Sequence, residues 1–133
     1  RDVFAPVAAH LSRGLVPGDV GDSVDSLVRL AIPVPIWRDD RLVGHVLHID
    51  RFGNVVTTLP EAAVAGCENL VLEIGGTVVQ GLVDSYAEAD GLTSLIGSHG
   101  YLEIVVTNGS AAQVLGVKVG DEVRVSISTS TRS

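Results

Sequence analysis

The segment from Asp50 to Asn54 places a carboxylate, an aromatic ring and a carboxamide close together in the sequence. Alternate side chains of an extended strand point to the same side, so Asp50, Phe52 and Asn54 are predicted to face one cleft. Together they suit a ligand that carries a positive charge and a heteroaromatic ring. Gly53 permits a bulge or a close backbone approach at this strand end. Because aspartate, glycine and asparagine also favour tight turns, a plain hairpin end is the alternative interpretation.

Two more features could contact a ligand. Ser98 and His99 lie between Gly97 and Gly100, where a turn is predicted and where the two side chains could bind a carboxylate. A solvent-exposed turn with no ligand is the alternative interpretation. Tyr86 follows a predicted strand in a chain that has only one Trp, two Tyr and two Phe. It is either a binding residue or a rim residue whose hydroxyl faces water.

The pattern of apolar residues predicts the elements that position these side chains. Period-two alternation predicts a strand from Leu42 to Ile49, with both faces largely covered. Glycine turns separate the later strands into two hairpins and a final strand, at 70–74 with 77–83, at 92–96 with 101–106, and at 122–127. Short strands joined in this way favour a closed or nearly closed antiparallel β-barrel. The predicted fold class is therefore mainly β.

Only two short helices are predicted outside these strands. Apolar residues at helical spacing predict a helix from Val3 to Leu11, and Ser110 can cap another short helix. The run Pro33-Val34-Pro35 favours an extended backbone. The domain boundary is therefore predicted near Ala31.

Length and composition favour one principal globular domain. The chain has 133 residues, 46% of them apolar, and a formal net charge of -7 with nine scattered Lys and Arg. Because these cations form no basic stripe, a nucleic-acid partner is not expected. The apolar runs are too short to span a membrane and no targeting signal precedes them, so no membrane partner is expected and the protein is predicted to be cytoplasmic.

Cysteine and histidine usage predicts no metal site. Cys67 is the only cysteine, which excludes an intramolecular disulfide and a Cys-based zinc site. His45 and His48 fall on opposite faces of the predicted strand, so they are not expected to share a metal ion. The chain begins at Arg1 and contains no methionine, which suggests a piece of a longer polypeptide.

Four segments, taken together and in order, resemble one family of enzymes. They are RDVFAPVAAHL at 1–11, IDRFGNVVT at 49–57, GSHGYLEI at 97–104 and NGSAA at 108–112. The family is that of the S-adenosylmethionine (SAM) hydrolases, also called SAM hydroxide adenosyltransferases, together with the chlorinases and fluorinases. The resemblance spans essentially the whole chain.

This resemblance implies how the chain is organised and what it assembles with. It implies an N-terminal α/β domain before this chain, a C-terminal β-barrel, and a homotrimer that binds SAM between one subunit's N-terminal domain and a neighbour's barrel. Residues 1–30 would then be the tail of the N-terminal domain with a linker, and residues 31–133 the barrel domain. SAM would be the substrate, with no cofactor.

The resemblance also implies a role for each candidate residue. Asp50 would hold the methionine ammonium, while Ser98 and His99 would meet the methionine carboxylate. Phe52 and Tyr86 would be the aromatic rings around adenine. Asn54 would be the amide that reads the adenine edge, and the backbone near Asn108 would make a further contact with adenine.

The implied reaction is a displacement at the ribose C5′ carbon, in which water replaces methionine and the products are adenosine and L-methionine. No catalytic residue is predicted within this chain, which is expected to be inactive alone. His99 stands where fluorinating members carry an arginine, which favours the hydroxide branch. The alternatives are a SAM-dependent halide adenosyltransferase, similar to the chlorinases, and a non-catalytic β-barrel binding module.

Overall fold

The computed structural model of the chain describes residues 1–67 and 69–127. The chain forms two compact units, Arg1–Ala31 and a second that begins at Ile32. The first unit contains helix α1, Phe4–Ser12, and a 3-10 turn, Pro17–Asp19; the helix buries none of its side chains. The predicted first helix is thus confirmed with a shift of one residue. The assignment of residues 1–30 and 31–133 to separate domains stays a prediction.

Within the described residues, the second unit is built from one sheet of nine strands. The strands are β1 Ile36–Arg38, β2 Arg41–Ile49, β3 Val55–Pro60, β4 Leu70–Ile74, β5 Thr77–Gln80, β6 Leu82–Val83, β7 Leu92–Ile96, β8 Tyr101–Val106 and β9 Glu122–Ile127. Two short helices, α2 Glu61–Val64 and α3 Ala111–Leu115, and a 3-10 turn, Tyr86–Glu88, lie between them. The mainly β prediction is confirmed.

The sheet is curved into a nearly closed barrel with the strand order β5-β4-β9-β2-β3-β8-β7-β6, and β1 pairs with β2. All pairs are antiparallel except β6 with β7, which are parallel, so the sheet is mixed. Gly81 joins the two ends of the strand order. Its N–H donates to the Leu70 carbonyl at 3.1 Å, and the Ser94 hydroxyl donates to its carbonyl at 2.5 Å.

Glycine determines where one predicted strand breaks. The sequence predicts a continuous strand over 77–83, but that prediction is wrong because Gly81 adopts a φ of 95° and turns the chain between β5 and β6. The hairpin turn of Gly75-Gly76 is confirmed, since both glycines have positive φ and Ile74 pairs with Thr77. The Ser110 cap is also confirmed, because its hydroxyl accepts from the Gln113 N–H at 3.2 Å.

The barrel interior is filled by aliphatic side chains from neighbouring strands. Those with no exposed surface include Val55, Leu59, Leu72, Leu102, Ile104, Val123 and Val125. Burial of each such side chain contributes roughly 1.5–3 kcal/mol relative to its exposure to water. This packing fixes the ends of β2, β3 and β8 relative to one another. In the described part of the chain, no helix has the length and apolar character needed to cross a bilayer.

Candidate functional site

A cavity of about 550 Å³ opens where the ends of β2 and β8 and the 3-10 turn at Tyr86 meet. Its lining residues are Asp50, Phe52, Asn54, Tyr86, Val106, Asn108 and Gly109. The structure therefore brings together most of the residues singled out from the sequence, although they come from three separate segments of the chain. Val106 and Gly109 are lining residues that the sequence did not predict.

The 50–54 segment is a turn and not the extended strand end that the sequence predicts. Strand β2 ends at Ile49, after which the Gly53 N–H donates to the Asp50 carbonyl at 3.0 Å and the Asp50 N–H donates to the Asn54 carbonyl at 3.1 Å. Gly53 has a φ of 87°, which few other residues adopt. The prediction that strand alternation aligns Asp50, Phe52 and Asn54 is wrong; a tight turn brings them to one cavity.

The carboxylate of Asp50 organises this turn. Its Oδ1 accepts from the backbone N–H of Phe52 at 2.8 Å and of Asn54 at 3.0 Å, and its Oδ2 accepts from the Asn54 Nδ2 at 2.9 Å. Burial by itself would raise the pKa of Asp50, but these hydrogen bonds outweigh burial and lower it. Asp50 is therefore ionised at neutral pH and gives the cavity a fixed negative charge.

Helix α3 packs tightly against the turn. The Ala112 N–H donates to the Gly53 carbonyl at 2.9 Å, and a Cβ on Gly53 would lie 2.8 Å from the Ser110 Cα. Glycine is thus required at this position both by its backbone conformation and by the close approach of the helix. The same contact fixes the Asp50 turn, which lines the cavity, relative to helix α3.

Two aromatic rings border the cavity. Phe52 is 62% exposed, and the guanidinium carbon of Arg51 lies 4.7 Å from its ring centroid. Tyr86 is 54% exposed, but its hydroxyl donates to the Glu103 Oε2 at 2.7 Å. Both rings therefore offer solvent-facing apolar surface that a flat ligand could cover.

Glu103 is a residue of this region that the sequence analysis missed. Its side chain on β8 is only 6% exposed, and it is the one buried ionisable side chain among the residues that the structure describes. A buried carboxylate is unfavourable unless it is hydrogen-bonded, and Tyr86 supplies that bond. The signal in the sequence was a glutamate inside the apolar run YLEIVV at 101–106.

Replacing Tyr86 with phenylalanine tests this contact. Burial, followed by the hydrogen bond and negative charge of Glu103, raises the pKa of Tyr86 from 10.0 to about 12. The protonated hydroxyl therefore stabilises the fold fully below pH 10, and this contribution is lost as the pH rises through about 12. We expect Tyr86→Phe to lower the free energy of unfolding at neutral pH by about 1–3 kcal/mol, because Glu103 stays buried without its donor.

The measurement is urea unfolding at neutral and alkaline pH, together with a spectrophotometric titration of tyrosine ionisation. Tyr101→Phe is the matched control, since no hydrogen bond of the Tyr101 hydroxyl occurs within residues 1–67 and 69–127. Tyr86→Phe should remove the ionisation step near pH 12, whereas the control should retain it. Survival of that step in Tyr86→Phe would contradict the contact.

Three lining residues of the cavity lie at and just after the end of β8. They are Val106, Asn108 and Gly109, and Asn108 adopts a left-handed backbone with a φ of 56° in the turn after the strand. This segment contributes the aliphatic side chain of Val106 and the backbone of Gly109 to the same cavity as Asn54. Such a lining is suited to a planar ring.

Ser98 and His99 lie elsewhere in the structure. They form the exposed turn between β7 and β8, where the Ser98 Oγ and the His99 Nδ1 are 3.4 Å apart. Neither lines the cavity that contains Asp50. The hairpin predicted around them is confirmed, while their contact with a ligand carboxylate stays a prediction.

The described residues contain no group of three His, Cys, Asp or Glu side chains placed to hold a metal ion. The absence of a metal or cofactor from the working protein stays a prediction. Cys67 is partly buried, and this burial raises the pKa of its thiol. A raised pKa disfavours the reactive thiolate.

Comparison with known families identifies the family of this chain. The family model described as the SAM hydroxide adenosyltransferase C-terminal domain matches residues 44–124. The chain belongs to this family. The match contains every residue that lines the Asp50 cavity, so the cavity is part of the SAM hydroxide adenosyltransferase C-terminal domain.

Curated relatives extend the similarity beyond the domain itself. A protein of Thermus thermophilus named (R)-S-adenosyl-L-methionine hydrolase is 42% identical over 129 residues, which are 94% of this chain and 47% of the relative. A protein of the same name from Salinispora arenicola is 35% identical over 127 residues, which are 94% of this chain and 49% of the relative. The chain spans about half the length of the curated relatives it matches.

Two solved structures have a fold similar to that of this chain. An uncharacterized conserved protein from Thermotoga maritima has a TM-score of 0.69 at 34% identity, over 92% of this chain and 50% of that structure. A conserved hypothetical protein from Thermus thermophilus has a TM-score of 0.65 at 38% identity, over 94% of this chain and 51% of that structure.

Proposed function

We propose that the full-length protein containing this chain hydrolyses (R)-S-adenosyl-L-methionine to adenosine and L-methionine, and that this chain binds part of that substrate. The observation that carries the proposal is the cavity itself, which combines a carboxylate, two aromatic rings and an amide. The names of the curated relatives support the choice of substrate.

The adenosyl group matches the uncharged part of the cavity. Phe52 and Tyr86 offer exposed ring surface, and Val106 adds an aliphatic wall. Stacking of a planar base on such surfaces removes apolar area from water. The carboxamide of Asn54 is the polar group that could recognise the base by its hydrogen-bonding edge. Asn108 lines the same cavity, and its backbone would make the further contact with adenine that the family resemblance implies.

The methionine group matches the charge of the site. SAM carries a sulfonium and an ammonium, and Asp50 supplies a fixed negative charge at the cavity. A carboxylate that faces an ammonium forms a charge-assisted hydrogen bond. We assign the methionine carboxylate to Ser98 and His99, as the family resemblance implies. This assignment requires the methionine chain to extend from the Asp50 cavity towards the exposed turn between β7 and β8.

The reaction depends more on the alignment of SAM with the attacking water than on activation of that water. An oxygen of water forms a bond to C5′ while the C5′–S bond breaks, its electron pair returns to sulfur, and a proton of the water is released. A sulfonium is a good leaving group, so much of the rate enhancement comes from holding the C5′–S bond in line with the attacking water. We assign no catalytic residue to this chain. The water and its proton acceptor belong to the rest of the protein.

We further propose that the rest of the protein includes an N-terminal α/β domain, and that a homotrimer places that domain against this barrel. The coverage of about half of each curated relative is consistent with such a second part. The proposed location is cytoplasmic, as the sequence predicts. The N-terminal domain and the homotrimer have the family resemblance as their support.

Turnover assays test the proposed function. The full-length protein should convert SAM to equal amounts of adenosine and L-methionine, and this chain alone should not exceed the spontaneous rate. Chromatography of timed incubations, with and without added chloride, is the measurement. Formation of a 5′-chlorinated nucleoside would assign the protein to halide adenosyl transfer instead, and no conversion of bound SAM would favour a non-catalytic binding module.

A further inference from the structure

The carboxamide of Asn54 has one defined orientation in the cavity. An amide can face a neighbour with either its oxygen or its nitrogen, and the two orientations have almost the same shape. Here the neighbour is the Asp50 Oδ2, 2.9 Å from the Asn54 Nδ2. An ionised carboxylate only accepts hydrogen bonds, so the nitrogen of Asn54 must face it.

Asp50 is itself held in place by the backbone. Its Oδ1 accepts from the N–H groups of Phe52 and Asn54, so rotation of the carboxylate would break both bonds. The turn therefore fixes the carboxylate, and the carboxylate fixes the amide. The bond to Asp50 uses one N–H of Asn54, which leaves its Oδ1 and its second N–H as an adjacent acceptor and donor.

That donor and acceptor pair discriminates between purines if the cavity binds a nucleoside, a condition that rests on the proposed function. Adenine has an amino donor at position 6 with an acceptor nitrogen on each side, at N1 and N7. The fixed amide complements this pattern, with its oxygen towards the amino group. Hypoxanthine has a carbonyl oxygen at position 6, which would face the amide oxygen unfavourably.

We propose that Asp50 is a specificity-determining positioning residue: by orienting the Asn54 amide, it makes the cavity select 6-aminopurine over 6-oxopurine nucleosides. This role is separate from any contact between Asp50 and the methionine ammonium, because adenosine and inosine both lack that group. The relevant quantity is the ratio of inosine Kd to adenosine Kd.

Asp50→Asn is the decisive variant. The carbonyl oxygen of the introduced carboxamide can still accept from the two turn N–H groups, which directs its NH2 group at Asn54 and forces that amide to reverse. The wild-type full-length protein should bind adenosine about tenfold or more tightly than inosine. In Asp50→Asn this ratio should fall to one or below, because the reversed amide places its NH2 group at position 6 of the base.

Calorimetric titrations with adenosine and inosine measure the ratio, and thermal unfolding checks each variant. Asp84→Asn is the matched control, since it removes the same charge from a residue that lines a different cavity; its ratio should equal that of the wild type. Asp50→Ser is a second variant that keeps an acceptor for the turn but leaves the amide free, and its ratio should approach one even if Asp50→Asn folds poorly.

Two results would overturn the inference in distinguishable ways. If the wild type binds neither nucleoside, the proposed function fails and the inference fails with it. If the wild type binds adenosine but the ratio is unchanged in Asp50→Asn and Asp50→Ser, only the positioning role of Asp50 fails. A fall in the ratio in both variants, with Asp84→Asn unchanged, supports it.

Discussion

Replacement of Asp50 by asparagine in the full-length protein is expected to weaken the binding of SAM by about tenfold or more beyond any loss in the binding of adenosine. The ammonium of methionine is a charge that adenosine lacks, and Asp50 is the ionised group of the cavity. A charge-assisted hydrogen bond to that ammonium contributes about 1.5–3 kcal/mol where water is excluded. Each 1.4 kcal/mol corresponds to about a factor of ten in Kd.

The experiment compares three ligands on the wild type and on Asp50→Asn by calorimetry. S-adenosyl-L-homocysteine keeps the ammonium but has no sulfonium leaving group, so its binding is measured without turnover. Its affinity should fall as that of SAM does, and more than that of adenosine. The extra loss should shrink at high salt if the site is open to solvent. Equal losses for all three ligands would show that Asp50 acts only on the turn and on the recognition of the base, without recognising methionine.

Substitution of Gly53 by alanine is expected to destabilise the barrel by about 2–5 kcal/mol. The φ of 87° would strain an alanine by about 1–2 kcal/mol. Its Cβ would also lie 2.8 Å from the Ser110 Cα, and forcing a methyl group into such a contact costs about 1–3 kcal/mol. The helix α3 and the Asp50 turn would have to separate, which should also weaken adenosine binding.

Gly120→Ala separates the two contributions. Gly120 has a φ of 91°, close to that of Gly53, but an added Cβ there would meet no atom within 4 Å. It should therefore lose only the backbone contribution, about 1–2 kcal/mol. Urea unfolding of the chain measures both variants. If Gly53→Ala is no less stable than Gly120→Ala, the close packing of α3 against the turn is not a determinant of stability.

The prediction of strands from the sequence succeeded where the signal is local. The hairpin at Gly75-Gly76 and the cap at Ser110 depend on residues that are neighbours in the chain, and both are confirmed. The break at Gly81 was missed because a lone glycine inside an apolar run fits a continuous strand equally well. Its positive φ is explained only by the tertiary structure, in which the chain turns at Gly81 and β6 pairs in parallel with β7.

The candidate site was likewise predicted only in part from the sequence. Asp50, Phe52 and Asn54 were recognised by residue type, but strand alternation was the wrong reason for their proximity, because the side-chain hydrogen bonds of Asp50 favour a turn over continued pairing. Glu103 was missed because a glutamate in a strand is usually a surface residue, and the hydrogen bond that compensates its burial comes from Tyr86, 17 residues away in the sequence.

The sequence by itself determined the mainly β class, the Gly75-Gly76 turn and the Ser110 cap, because each depends on residues that are near neighbours in the chain. Only the tertiary structure decided that segments around Asp50, Tyr86 and Asn108 share one cavity while Ser98 and His99 lie outside its lining. That outcome depends on the curvature of the sheet and on which strand ends meet. Those are set by packing of the whole barrel interior, and no local pattern encodes them.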